Sequence, residues 1–135
     1  MINVASAQTQ ADREAVEQAC LGYLEGFYEG DTTKLINSLR PTLHKFGFWK
    51  KKGSDVYEYE SAMSFQEAKN YAKSVKEKKH FPKADAPKIV EVLDVMHHIA
   101  SAKVTAWWGV DYLLLSKNEG TWKIEQVIWE GPLEK

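Results

Sequence analysis

A few polar side chains of this sequence occur among aromatic and apolar residues, where they could do chemistry. His44 alternates with Phe46 and Phe48 in the stretch LHKFGFWKK, so the three side chains share one side of a predicted strand. A titratable group in such a setting is a candidate for proton transfer, because loss of water changes its pKa. The competing interpretation is a histidine that is hydrogen-bonded for structure or exposed at the start of the strand.

A second candidate region is the stretch AWWGVDYLLL, which brings Trp107, Trp108 and Asp111 close together. An acid beside apolar strand residues is costly unless it is paired. Asp111 is therefore either a catalytic carboxylate or one that a cross-strand hydrogen bond or a subunit salt bridge satisfies. The two indoles stand at a predicted bend and must be covered. They either pack on the first helix or a second subunit, or form a ligand-stacking wall at the mouth of a cavity.

Other chemistries find little support in the sequence. His97 and His98 are adjacent, and neighbouring strand residues point to opposite faces, so the two cannot readily share a metal ion. The one cysteine, Cys20, excludes an intramolecular disulfide, and its place in a helical apolar stripe favours a small core residue over a reactive thiol. No phosphate-binding loop occurs, and no Ser-His-Asp pattern has supporting context. We expect neither a metal nor a cofactor.

Composition narrows the class of protein. A chain of 135 residues with 44% hydrophobic and 27% charged residues is typical of one globular domain. The net charge of −1 and the lack of a basic stripe argue against nucleic acid as a partner. No apolar run approaches the roughly 20 residues that a membrane-spanning helix needs, so we expect no membrane partner.

The first ten residues allow two interpretations. Residues 1–10 contain the small-x-small pattern Ala5-Ser6-Ala7 of a signal-peptidase site, but no basic segment and no proper apolar segment precede it. They are either a disordered tail of a cytoplasmic protein or the remnant of an export signal whose upstream part is missing. In the second case the protein is periplasmic or secreted. The single domain is predicted to cover residues 11–135.

Three helices are predicted in the first 80 residues. The first spans Asp12–Glu29, with Thr9 and Asp12 as a capping box. The second is capped by Asp31 and ended by Pro41, and the third begins at the capping box Ser64–Glu67. Two strands, in TLHKFGFWKK and VYEYE, separate the second helix from the third.

The last third of the chain is predicted to be a four-stranded meander. Its strands are KIVEVLDVM, IASAKVTA, VDYLLLSK and TWKIEQVIWE, with the connections HH, WWG and NEG. A three-residue loop that ends in glycine is typical of a hairpin whose last loop residue has a positive φ. On this basis Ala106 pairs with Val110, and Lys117 pairs with Thr121.

This register assigns a function to each face of the sheet. The face predicted to lie under the helices and line a cavity is almost wholly apolar, with two polar groups: Ala102, Val104, Tyr112, Leu114, Trp122, Ile124 and Gln126. The opposite face mixes charges with large apolar residues and is predicted to contact a second subunit through Leu113, Leu115, Val127 and Trp129. A one-residue slip would exchange the two faces.

The chain also resembles a known superfamily. Its order of helix, helix, strand pair, helix and four-strand meander is that of the nuclear transport factor 2-like superfamily. The opening VEQACLGYLEGFYEGDTTKLINSLRPTLHK and the ending IASAKVTAWWGVDYLLLSKNEGTWKIEQVIW carry the similarity. They are most similar to a small bacterial branch described as putative lumazine-binding, beside the SnoaL-like polyketide cyclases and ketosteroid isomerases. The resemblance covers nearly the whole chain after Gln10.

The resemblance implies a fold and a range of functions. The fold is α+β, a cone-shaped, cystatin-like half-barrel in which three helices pack on a curved, mostly antiparallel sheet, commonly as a sheet-to-sheet dimer. Catalytic relatives hold a histidine or carboxylate as general base in the pocket, and His44 occupies the family's Leu-His position. Asp111 coincides with an Asp-Tyr pair that looks largely structural. The residues expected to bind a ligand are Phe46, Phe48, Tyr59, Trp108, Tyr112 and Gln126.

Three functions remain open at this point, because fold alone does not decide function. The first is a homodimeric domain that binds a small apolar or aromatic molecule without catalysis. The second is an isomerase, dehydratase or cyclase that uses His44 as general base, with Tyr112 or Gln126 orienting an oxyanion. The third is an association module whose cone is filled by its own side chains.

Overall fold

The computed structural model describes residues 4–134, with side chains from Gln10 onward. Three helices pack on one face of a six-stranded sheet, which confirms the predicted α+β class. Along the chain the elements are α1 (Val4–Glu29), α2 (Thr32–Ser38), β1 (Leu39–Lys50), β2 (Tyr57–Met63), α3 (Phe65–Lys78), β3 (Ile89–Val95), β4 (Ile99–Ala106), β5 (Gly109–Asn118) and β6 (Thr121–Gly131).

The sheet combines one parallel pair with antiparallel neighbours. The strand order is β2-β1-β6-β5-β4-β3. β1 runs parallel to β6, and the other neighbouring strands are antiparallel. The parallel pair sets Gly47 of β1 beside Trp129 of β6. The second half of β1 and the end of β6 therefore meet at one end of the sheet.

Most of the sequence signals for the helices are confirmed by the structure. The apolar stripe of α1 is buried against the sheet, and Asp31 caps α2 by accepting a hydrogen bond of 3.2 Å from the Lys34 amide. Ser64 and Glu67 form the predicted capping box of α3. Pro41 lies within β1 and does not end α2, which stops at Ser38. The ladder between β1 and β6 is irregular there, so the missing proline N–H breaks no regular pairing.

The N-terminal predictions fall partly on residues that the structure does not describe. The backbone is helical from Val4, so α1 begins before the predicted start at Asp12. The Asp12 carboxylate accepts hydrogen bonds of 3.0 Å from Lys117 Nζ and Trp122 Nε1. Residues 1–3 and the side chains of residues 4–9, including Thr9 of the predicted capping box, lie outside the described part. The tail or signal remnant over residues 1–10 stays a prediction.

The hairpins differ from the predicted register. Ala106 pairs with Gly109 and Asn118 pairs with Thr121, so both loops contain two residues instead of three. In the second loop Glu119 and Gly120 have φ values of 53° and 77°, typical of the two-residue hairpin turn that matches strand twist. In the first, Gly109 belongs to β5 because it pairs with Ala106, and a Cβ at this position would overlap the backbone of Glu130.

The shorter first loop exchanges the faces of β5. Asp111, Leu113 and Leu115 point toward the helices, and Tyr112 and Leu114 point away. On β6 an irregularity opposite the Leu114–Leu115 step lets Ile124 and Val127 both face the helices. The predicted faces of Ala102, Val104, Trp122 and Ile124 are confirmed. The predicted faces were wrong for two groups of residues. Tyr112, Leu114 and Gln126 point away from the helices, and the side that faces the helices carries Asp111, Leu113, Leu115, Val127 and Trp129.

Candidate functional site

An open cavity of about 350 Å³ lies where the end of the sheet meets α1 and α3. Four of the five tryptophans of the chain contribute to its wall. We call it the tryptophan pocket, and its lining residues are Phe27, Lys45, Trp49, Glu60, Ser61, Ala62, Met63, Glu67, Tyr71, Trp107, Trp108 and Trp129.

The parallel strand pair builds one wall of the tryptophan pocket. Trp49 of β1 and Trp129 of β6 meet edge to face, with ring centroids 6.1 Å apart. Gly47 is necessary for this arrangement, because a Cβ at that position would overlap the Trp129 indole. The indole therefore lies directly on the β1 backbone, next to Lys45.

The β4–β5 loop supplies the opposite wall. Trp108 is 8% exposed and packs edge to face with the rings of Tyr23, Phe27 and Tyr28 on α1. Trp107 is 44% exposed and meets Trp108 at a centroid distance of 5.6 Å. The predicted packing on the first helix is confirmed for Trp108. Both indoles also line the tryptophan pocket, and their stacking on a ligand stays a prediction.

A chain of buried hydrogen bonds lies under the pocket. Lys45 Nζ donates to the Tyr23 hydroxyl at 2.5 Å, and that hydroxyl donates to Asp111 Oδ2 at 2.5 Å. The second oxygen, Asp111 Oδ1, accepts a bond of 2.7 Å from Trp108 Nε1. We call these four residues the Lys45 network. It joins α1, β1, β5 and the β4–β5 loop.

The electrostatics of the Lys45 network are set by burial. Burial lowers the pKa of Lys45, and the Asp111 carboxylate partly opposes this shift. Burial, followed by the nearby Asp111 charge, raises the pKa of Tyr23 well above its ordinary value. Lys45 Nζ also lies 4.6–4.8 Å from the ring centroids of Tyr23, Phe27 and Trp108. These ring faces favour the ammonium form, because their quadrupoles attract a cation.

This arrangement allows a limited set of interactions. Lys45 offers an N–H donor at the base of the tryptophan pocket, in a place from which water is largely excluded. The surrounding indoles offer flat apolar faces for stacking. At the mouth, Glu60 and Glu67 are exposed acids. The pocket can therefore hold a flat molecule with an acceptor group directed to its base.

His44 lies on the other side of the sheet. It is exposed and packs on Phe46, with ring centroids 5.1 Å apart, and Tyr59 contacts both Phe46 and Phe48. Four predicted site residues are thus brought together, but away from the helices. The prediction that His44 faces the cone was wrong. The alternation along β1 was correct, but the side with Leu43, Lys45 and Gly47 is the one that the helices cover.

The other predicted site residues also lie elsewhere than predicted. Tyr112 and Gln126 lie on the outer face of the sheet, so they cannot orient a ligand in the cone. The predicted subunit contacts Leu113, Leu115 and Val127 are 1%, 2% and 0% exposed in the core beneath the helices. The fourth predicted contact, Trp129, lines the tryptophan pocket. Asp111 is fully buried and satisfied within the Lys45 network.

Sequence reasoning missed the residues at the base of the pocket. Lys45 shares its strand side with Leu43 and Trp49, and this pattern was visible in the sequence. The other side was preferred, because His44 shares it with Phe46 and Phe48 and matches the family's Leu-His position. Tyr23 was included in the buried stripe of α1, but nothing local indicates that its hydroxyl would meet Asp111, 88 residues away.

The described residues give little support for other chemistries. Among these residues no group of three or more His, Cys, Asp or Glu side chains could hold a metal ion. Burial raises the pKa of Cys20 to about 12, so its thiol stays protonated at neutral pH. None of the helices described is both long and apolar enough to cross a membrane.

Comparison with solved structures shows the fold. A nuclear transport factor 2-like protein of unknown function from Shewanella baltica aligns with a TM-score of 0.68 at 18% identity, covering 89% of this chain and 93% of the other. A second such protein, from Methylobacillus flagellatus, aligns with a TM-score of 0.67 at 16% identity, covering 96% and 94%. A domain with a cystatin-like fold from Nostoc punctiforme gives 0.63 at 12% identity, covering 93% and 80%.

Comparison with curated proteins finds no match. Residues 11–130, by contrast, match the family described as "Putative lumazine-binding". That match spans all the elements that build the tryptophan pocket and the Lys45 network. The chain therefore belongs to the putative lumazine-binding family and has the nuclear transport factor 2-like fold.

Proposed function

We propose that the tryptophan pocket binds a small planar aromatic molecule that carries a carbonyl or carboxylate group. The observation that carries this proposal is the position of Lys45. Its side chain is 7% exposed and lines a cavity whose other walls are mostly aromatic. A buried lysine amine has a high desolvation cost, and an acceptor oxygen of a ligand would offset part of that cost.

The shape and size of the cavity support a ligand. A volume of about 350 Å³ falls within the range of small-molecule sites, at roughly 300–1,000 Å³. This open space argues against an association module with a filled cone. The indoles of Trp49, Trp108 and Trp129 provide stacking surfaces, which contribute about 0.5–1.5 kcal/mol per aromatic pair beyond area burial.

The family description suggests the first compound to test. Lumazines are flat bicyclic heteroaromatic molecules with ring carbonyl groups, so their chemistry suits stacking on indoles with an oxygen directed to Lys45. We infer that the ligand belongs to this chemical class. Catalysis by His44 finds no support, since that side chain lies on the opposite face of the sheet from the pocket.

The test is a binding titration followed by the fluorescence of the pocket tryptophans. Lumazine and an aromatic carboxylate are titrated into the wild type, Lys45→Met and Lys103→Met, the last being a matched lysine on the outer side of β4. We expect wild-type affinity to be retained in Lys103→Met and to fall at least about tenfold in Lys45→Met, which is about 1.4 kcal/mol. Equal affinities in all three proteins, or no binding of either compound, would contradict the proposal.

We also propose that a second copy of the chain covers the outer face of the sheet. Ile128 pairs with both Phe46 and Tyr112, and Leu114 lies one pair further along β5, so apolar side chains form a continuous stripe across three strands. Tyr112 and Leu114 are 58% and 53% exposed. A solvated face of an antiparallel sheet normally carries polar residues, and an apolar stripe of this kind marks an interaction site.

Sedimentation analysis tests the second subunit. We expect the wild type to be a dimer, Leu114→Glu to be a monomer, and Val56→Glu to remain a dimer. Val56 is 65% exposed outside the stripe and serves as the control. A wild type that stays monomeric at its highest soluble concentration would rule out this dimer, as would a dimeric Leu114→Glu variant.

A further inference from the structure

Lys45 differs from a lysine that only neutralises a buried acid. Its direct polar contact is the Tyr23 hydroxyl, and within the described part of the chain no carboxylate lies within ion-pairing distance of its Nζ. Asp111 is reached only through Tyr23. The amine therefore keeps capacity for another partner, and the tryptophan pocket is the open space beside it.

The surroundings of Lys45 suit a nucleophilic amine. An amine attacks a carbonyl only when it is neutral, and burial lowers the pKa of Lys45, which increases the fraction of neutral amine at a given pH. Three aromatic rings lie within 4.8 Å of Nζ, so a protonated imine formed there would lie against their faces.

We propose that Lys45 Nζ forms an imine with the carbonyl carbon of an aromatic aldehyde or ketone held in the tryptophan pocket. This inference rests on the proposed function, because the carbonyl compound must first bind there. It goes further in assigning a covalent reaction and its nucleophile.

The step balances without an oxidant or a reductant. The nitrogen lone pair adds to the carbonyl carbon, a C–N bond forms, and the C=O π pair moves to oxygen, which takes up a proton. Nitrogen then loses a proton, the hydroxyl group is protonated and leaves as water, and the C=N bond forms. This gives the protonated imine, and loss of its N–H proton gives the neutral imine, so the overall change is amine plus carbonyl compound giving imine plus water.

Tyr23 is placed to carry the proton that nitrogen loses. Its oxygen lies 2.5 Å from Lys45 Nζ, and its hydrogen is directed to Asp111 Oδ2. A proton that leaves nitrogen for the Tyr23 oxygen can be matched by transfer of the tyrosine proton to Asp111. Tyr23 and Asp111 act through Lys45 and are positioning residues, whereas Lys45 contacts the carbonyl compound.

The experiment traps the imine in the intact protein. Benzaldehyde, at less than one equivalent, is incubated near neutral pH with cyanoborohydride, and the reduced adduct is located by peptide mass spectrometry. We expect the adduct on Lys45 to exceed that on every other lysine by at least tenfold. We expect Tyr23→Phe to slow adduct formation on Lys45 by a larger factor than it weakens lumazine affinity. Adduct spread evenly over the lysines of the wild type would overturn the proposal, and this result needs no variant.

The outcomes separate this inference from the proposed function. If lumazine or benzoate binds with dependence on Lys45 but no adduct forms there, the imine proposal fails and ligand binding stands. If neither compound binds and benzaldehyde does not label Lys45, both fail. Lys45→Arg, which keeps the charge but cannot form this imine, should lose the adduct. A Lys45→Arg protein labelled to the same extent would contradict the assignment of the nucleophile.

Discussion

The two faces of strand β5 carry similar amounts of apolar surface but lie in opposite environments. Leu113 and Leu115 are 1% and 2% exposed beneath the helices, whereas their neighbours Tyr112 and Leu114 are 58% and 53% exposed. The inner face also holds the carboxylate of Asp111. Apolar character therefore does not tell which face of this strand is covered. The position of hydrogen-bond partners also decides which face is buried, since Tyr23 and Trp108 satisfy the buried carboxylate of Asp111.

Each face of the sheet carries side chains that need a partner. The inner face must satisfy a buried carboxylate and a buried amine. The Lys45 network gives each oxygen of the carboxylate a donor, and it gives the amine one partner, the Tyr23 hydroxyl. The outer face must avoid leaving an apolar stripe in water, and a second subunit would solve this. Substitutions on the two faces should therefore differ in size and in the property that they change.

The largest difference is expected between two adjacent leucines. Leu113→Ala should lower the free energy of unfolding by about 2–5 kcal/mol, because it leaves a cavity in the core. Leu114→Ala should cost less than about 0.5 kcal/mol for the monomer, as a surface substitution does. Urea unfolding over a dilution series separates subunit association from monomer stability. If Leu114→Ala lowered the unfolding free energy of the monomer more than Leu113→Ala did, the predicted register with three-residue loops would be correct instead.

Asp111→Asn should come next in size. Both carboxylate oxygens accept hydrogen bonds, from Tyr23 and from Trp108, and an asparagine has only one acceptor oxygen for the two donors. We expect a loss of about 1–3 kcal/mol, the cost of one unsatisfied buried group. Chemical unfolding measures this loss, with Asp55→Asn as the control because Asp55 is an exposed acid. Equal stability of the two variants would mean that the Asp111 carboxylate is hydrated and not buried.

A smaller effect is expected in the pH dependence of stability. The folded-state pKa of Lys45 lies below the ordinary lysine value of 10.5, so at pH values between the two the unfolded chain binds more protons. Stability then rises with pH as the folded amine loses its proton. The unfolding free energy of the wild type minus that of Lys45→Met should therefore increase as the pH rises from the lowered pKa toward the ordinary value of 10.5. Tyr23 and Cys20 are present in both proteins, so their titration cancels. A flat difference would show that the lysine pKa is not lowered.

The smallest effect is expected for His44. His44→Ala removes an exposed ring from the outer face and leaves the tryptophan pocket intact. Lumazine affinity should therefore change by less than about twofold, or under about 0.4 kcal/mol. Lumazine titrations of His44→Ala and Lys45→Met, carried out side by side, provide the comparison. A His44→Ala variant that loses binding while Lys45→Met retains it would place the site on the outer face.

Much of the fold could be predicted because its signals are local. The stripe of α1, the cap at Asp31 and the capping box of α3 depend on residues within one or two turns of each other. The alternation of side chains along β1 could also be predicted, and it placed Lys45 and Trp49 on one side of the strand. The candidate site was mostly missed, because its base is made by residues from α1, β1 and β5 that are far apart in the chain.

The sequence by itself determined the type and order of the elements, and with them the fold. Only the tertiary structure decided which side of each strand lies under the helices. A period of two offers two equivalent faces, and one residue in the length of the Trp107–Trp108 loop selects between them. At the end of that loop Gly109 packs closely against Glu130, a contact between distant residues that no local pattern contains.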